Sequence, residues 1–105
     1  DAAWQLADQG ELEEALEVCD GLSAGTPPAP EPYYLKGLLN QALDRLDEAE
    51  DCFRRTLYLD PHHYPALLHM SALCERRGET RSGDLFRTRA RRLAEGGVEL
   101  DERHG

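Results

Sequence analysis

One interval governs this sequence: its landmarks recur every 34 residues. Gly10, Asp44 and Gly78 fall on it, as do Ala15, Ala49 and Gly83, then Cys19, Phe53 and Arg87, and the pair Pro27 and Pro61. The stretches GELEEALEVC, DRLDEAEDCF and GETRSGDLFR are three copies of one turn and one helix. A fixed period of this length, with a small residue at the turn, another five positions later and a proline near the end, marks a series of helix-turn-helix units. One such unit cannot bury its apolar stripe alone, so the period predicts an all-α solenoid of stacked helix pairs.

Local patterns place the helices at 2–9, 11–24, 31–43, 46–59, 64–77 and 80–94. In the fourth span, Leu46, Ala49, Cys52, Phe53, Leu57 and Tyr58 follow spacings of three and four and are assigned to one buried face. Small residues at 15, 49 and 83 let the axes of paired helices approach closely. Asp60 before Pro61 ends a helix, because proline lacks an amide hydrogen and disfavours helical geometry in the residue before it. The turn-rich GTPPAPEP keeps the 34-residue register and reads as a loop between repeats. The expected organisation is a repeat domain at 1–96, with repeats at about 1–27, 30–61 and 64–95, and a flexible tail at 97–105, where EGGVELDERHG has two glycines and little apolar content. At 105 residues and 40% hydrophobic composition, the length suits one compact domain with one core.

Charge narrows the partners. The formal net charge of -9 is uneven, with 14 acids and 4 bases in residues 1–60 against 4 acids and 7 bases in residues 61–98. An acidic surface repels phosphate, so nucleic acid and anionic membrane are disfavoured as partners of the body of the domain, and a protein partner is expected. No apolar run is long enough to span a membrane, and no leader pattern opens the chain. Cys19, Cys52 and Cys74 are an odd number set among apolar residues, which suits buried thiols in a reducing compartment. The expected location is cytoplasmic.

A glycine-rich phosphate loop, a Cys-x-x-Cys pair and a Gly-x-Ser-x-Gly elbow are all absent from the sequence, so this chain is read as non-catalytic. His62, His63, His69 and Cys74 cluster in sequence, but Cys74 takes a buried repeat position and the adjacent histidines face apart, which does not build a zinc site. Asp44, Asp47, Glu48, Glu50 and Asp51 spread around a polar helix face and its first turn, where they favour the helix dipole. The arginines of RTRARR, residues 87–92, suit the polar outer face that a last solenoid helix needs, or a docking surface for an acidic partner.

These landmarks resemble the tetratricopeptide repeat. Its pattern is matched in repeat two at Tyr33, Gly37, Ala49, Phe53 and Pro61, and in repeat three at Leu67, Gly78, Gly83 and Ala90. Repeat one is truncated, entering part-way along its first helix, with Leu6, Gly10, Ala15 and Pro27 in place. Lys36, Asn40 and Thr56 depart from the pattern, where Leu, Tyr and Ala are usual. The resemblance implies three repeats whose first helices line a concave groove, and the register puts Trp4, Asp8, Tyr34, Leu38, Gln41, Leu68, His69, Ala72, Glu75 and Arg76 there. Some grooves of this family clamp a chaperone's C-terminal carboxylate with Lys and Asn. The corresponding places here hold Tyr34, Leu38, Pro65, Leu68, His69 and Ala72, so a chaperone-tail adaptor is disfavoured.

A narrower resemblance lies in YYLKGLLNQALDRLDEAEDCFRRTL followed by LYLDPHHYPALLHMSALCERRGE. It is similar to the C-terminal tetratricopeptide segment of bacterial chemotaxis-type receptor methyltransferases, in particular those of surface-sensing pathways. That likeness implies a regulatory or targeting module, attached to a catalytic domain upstream that uses S-adenosylmethionine to methylate receptor glutamates. No cofactor is expected in this chain. The implied partner is a protein or peptide: a methyl-accepting receptor, or the parent's own catalytic domain. Self-association is open as well, since a truncated first repeat would expose apolar surface. The alternative reading is a general scaffold or assembly adaptor with no enzyme attached.

Overall fold

The computed structural model describes residues 11–23 and 28–104. Among them are five helices and no strand: α1 (Leu12–Ser23), α2 (Pro30–Ala42), α3 (Leu46–Leu59), α4 (Tyr64–Arg76) and α5 (Thr80–His104). The all-α expectation holds. The helix expected at 2–9 lies outside the described residues.

Two helix-turn-helix pairs, α2 with α3 and α4 with α5, carry the period into three dimensions. Their turns are built alike: Asp44 (φ 61°) and Gly78 (φ 75°) both take left-handed backbone. Each turn closes with a bond of 2.8 Å, from Arg45 N–H to the Asn40 carbonyl and from Glu79 N–H to the Cys74 carbonyl. Donors and acceptors alike are 34 residues apart, so the repeat is kept at the level of single hydrogen bonds.

Helix ends follow local chemistry. Asp47 and Glu48 lie in the first turn of α3, where carboxylates favour the helix dipole. The same helix stops at Asp60, which is extended before Pro61 and donates its N–H to the Thr56 carbonyl. α4 starts on His63, whose Nδ1 accepts the Ala66 N–H at 3.2 Å, so this buried histidine is a helix cap. At the other end, the helix expected to stop at 94 continues in α5 to His104, and the segment 97–104, placed outside the repeats on sequence, is helical. A glycine costs a helix only about 1 kcal/mol relative to alanine, so Gly96 and Gly97 between strong formers do not break it.

The helices gather into two compact units, Asp1–Pro61 and His62–Gly105, where length alone suggests one core. Helical repeats bury apolar surface mainly against near neighbours in sequence, which divides compactness among them. In the first unit, Ala15, Cys19, Leu35 and Leu39 form a buried cluster, with Leu12, Leu16 and Val18 packed against it. Phe53 is fully buried, and its ring fills the space above Gly37, where an added Cβ would come within 2.5 Å of Phe53 Cε1. In the second unit, Ala66, Leu67, Met70, Leu73, Cys74 and Ala90 are buried. Gly83 packs near Ser71, whose hydroxyl donates to the Gly83 carbonyl at 3.0 Å.

One side chain leaves its expected face. Tyr58 is 79% exposed, not buried with Phe53 and Leu57. It lies five residues beyond Phe53, about 140° round the helix, and one beyond Leu57, so it falls off the stripe that spacings of three and four define.

Candidate functional site

The residues assigned to a groove divide between two helices. On α2, Tyr34, Leu38 and Gln41 are spaced by four and three, share one stripe and are half-buried. On α4, Leu68, Ala72 and Glu75 form one such stripe and His69 with Arg76 another. Leu68, Ala72, Glu75 and Arg76 are exposed, and His69 is half-buried. Trp4 and Asp8 lie outside the described residues. Within each unit the structure thus presents a mixed apolar and polar helix face.

These side chains differ in how firmly they are held. The Tyr34 ring lies 6.0 Å from that of Phe53, tilted by 50°, so an aromatic contact ties it to the core. Burial raises the Tyr34 pKa, helped by the charge of Glu31. His69 is shifted the other way: burial lowers its pKa, which keeps the imidazole neutral at pH 7. Glu75 is bound by the Arg87 guanidinium, which also reaches Asp84 at 2.9 Å.

The departures from the repeat pattern form a linked polar set in the first unit. Lys36 Nζ lies 2.8 Å from Asp20 Oδ1 and 5.7 Å from the centre of the Tyr33 ring. The Arg55 guanidinium lies over the same ring at 5.6 Å. Burial by itself would lower the Lys36 pKa, but the hydrogen bond and charge of Asp20 outweigh it and the net direction is up. Asn40 donates to the Lys36 carbonyl at 3.0 Å and lies 3.8 Å from Cys52 Sγ. Thr56, fully buried, donates its hydroxyl to the Cys52 carbonyl at 2.9 Å. Every departure therefore has its own polar partner, which is why the helices tolerate it.

The remaining candidate clusters resolve into structural roles. Asp44 holds the left-handed turn, Glu50 pairs with Arg54 at 2.8 Å, and Arg45 pairs with Glu13. Among the described residues no three His, Cys, Asp or Glu side chains converge as a metal site would need. Burial pushes the Cys19 thiol up to about 11 and raises that of Cys52, so both are protonated and poorly nucleophilic at neutral pH. No described helix is long and apolar enough to cross a membrane.

Two features escape the pattern-based reading. Tyr58 borders an open cleft of about 640 Å³, lined with Asp51, Arg54 and Arg55. Leu85, 62% exposed, stands on the outer side of α5. Plotting each helix at 100° per residue separates both from the buried stripes.

No family model matches the sequence. The chain is homologous to the C-terminal part of the probable biofilm formation methyltransferase WspC. It is 36% identical to the Pseudomonas aeruginosa protein over 88 residues, which is 84% of this chain. The Pseudomonas putida protein is 33% identical over the same length. The chain spans only 21% of each relative. Among solved structures, it is similar to MamA from Desulfovibrio magneticus RS-1, with a TM-score of 0.82 and 20% identity over 90% of this chain and 53% of that one. Another MamA crystal structure gives a TM-score of 0.81 and 18% identity over 92% of this chain and 57% of that one. MamA is a tetratricopeptide-repeat protein, so the fold is tetratricopeptide-like.

Proposed function

We propose that this chain is the protein-docking part of a bacterial receptor methyltransferase, a regulatory or targeting domain of an enzyme that carries methyl groups from S-adenosylmethionine to receptor glutamates. The observation that carries the reading is the 36% identity to WspC, a protein named as a biofilm formation methyltransferase. A tetratricopeptide-like fold supports the docking role, since such folds act through the surfaces that their helices present.

On this reading the chain supplies no chemistry of its own, and methyl transfer belongs to a catalytic domain elsewhere in the full-length protein. The faces of α2, with Tyr34, Leu38 and Gln41, and of α4, with Leu68, His69, Ala72, Glu75 and Arg76, receive a protein or peptide. Apolar side chains give contact area while the charged ends set register and discriminate partners. The partner is a methyl-accepting receptor or the enzyme's own catalytic domain. Three free cysteines, Cys19, Cys52 and Cys74, suit a cytoplasmic setting.

The test is the rate of receptor methylation by the full-length protein and by a form lacking these 105 residues, over a range of receptor concentrations. A changed rate that the free chain restores or inhibits is the expected result. Equal rates at every concentration would sink the regulatory reading and leave a general scaffold.

A further inference from the structure

The outward faces of α3 and α5 share one register and differ in charge, the α3 face carrying Asp47, Glu48 and Asp51 with Arg54, which Glu50 holds at 2.8 Å, and Arg55. Asp47 is matched by Arg81, Asp51 by Leu85 and Tyr58 by Arg92, each 34 residues on. All six side chains are exposed, and Tyr58 at 79% and Leu85 at 62% lead the exposed large hydrophobics among the described residues. Positions i, i+4 and i+11 of a helix lie within about 40° of one another, so each set is a single stripe about 16 Å long.

Repeat one agrees with repeat two, having Glu13 and Glu17 at the first two positions, so the third repeat departs from a carboxylate rule. Its arginines also stand apart. The chain holds 21 Asp and Glu against 12 Lys and Arg. Lys36, Arg45, Arg54 and Arg87 each sit on a carboxylate. Arg81 and Arg92, like Arg91 beside them and Arg55 on α3, make no ion pair among the described residues despite that surplus.

We propose that the chain self-associates by laying the Arg81, Leu85 and Arg92 stripe of α5 on the Asp47, Asp51 and Tyr58 stripe of α3 in a second copy. The two stripes have equal length because they occupy the same repeat positions. An arginine at both ends of the α5 stripe lets either direction of crossing work. One arginine meets Asp47 as an ion pair, and the other meets the Tyr58 ring as a cation–π contact. Leu85 lies between them, against the open cleft that Tyr58 shares with Asp51, Arg54 and Arg55. Tyrosine and arginine are the side chains that most often carry contact energy, and two unlike faces make the contact heterologous.

Sedimentation equilibrium of the 105-residue chain from micromolar to millimolar concentration is the test. Wild type should populate dimers or larger species. Arg81→Glu with Arg92→Glu should weaken association about tenfold or more, because like charges then face each other. Asp47→Arg with Asp51→Arg should do the same, and an equal mixture of the two variants should regain association that neither has alone. A wild-type monomer at millimolar concentration overturns the proposal, as does a mixture that fails to recover. Helical circular dichroism accompanies each variant. If a reversal loses it, Tyr58→Ser with Leu85→Ser, which keeps the charges, must weaken association, and no change there also overturns the proposal.

Discussion

The pairs α2/α3 and α4/α5 solve one packing problem in two ways. In the first pair the fully buried ring of Phe53 lies against Gly37, which has no side chain to obstruct it. The residues 34 positions on are Arg87 and Ser71. There the arginine is exposed and binds Glu75 and Asp84, while Ser71 reaches across to the Gly83 carbonyl at 3.0 Å. One pair is locked by an aromatic ring in a glycine notch, the other by a hydrogen bond between closely approaching helices. What both pairs keep is thus a close contact between two helices, and the atoms that make it change.

Truncating the matched large residues should break the comparison most widely. Phe53→Ala should cost about 4 kcal/mol in urea unfolding, as a buried aromatic removed without collapse. Arg87→Ala should cost less than about 1 kcal/mol, since its ion pairs are solvent-exposed. Equal costs would mean that Arg87 packs as a core residue.

Next come the notch residues. Gly37→Ala puts a methyl group within 2.5 Å of the Phe53 ring and should cost about 2 kcal/mol. Ser71→Ala removes the bond to Gly83 and should cost about 1 kcal/mol. Combining Gly37→Ala with Phe53→Leu should recover part of the first loss, and strict additivity would count against the notch.

The turns sharpen the likeness between the pairs. Asp44 and Gly78 share a left-handed backbone, so Asp44→Gly should stabilise by about 0.5 to 1 kcal/mol, and Gly78→Ala should destabilise by about 1 kcal/mol. Thermal unfolding reads both signs. The smallest effect is acid sensitivity, which should belong to the second unit, because Leu35 of the first is matched by His69. Burial lowers the His69 pKa, so its contribution is complete above the unfolded value of about 6.5 and is lost as pH falls from there through the folded value. His69→Leu should flatten the stability profile across that window, and an unchanged slope would place the effect elsewhere.

Much of the fold was legible because it is local. Asp44 and Gly78 announce the turns, Pro61 announces a helix end, and the small Ala15, Ala49 and Gly83 announce close approaches. Less of the candidate site was legible. Lys36, Asn40 and Thr56 read as breaks in a pattern, because their partners Asp20 and Cys52 lie on other turns or other helices. Tyr58 was misplaced because, one residue beyond Leu57, it falls off the stripe that spacings of three and four define.

The sequence by itself determined the helix pairs, their period and their turns, since each depends on backbone preferences within a few residues and on an apolar stripe that must be covered. Only the tertiary structure decided which side chains that cover reached. It set the Phe53 ring against Gly37 and Lys36 against Asp20, and it left Tyr58 and Leu85 in solvent. Those outcomes turn on where a side chain points and what stands opposite it, and neither is a property of neighbours along the chain.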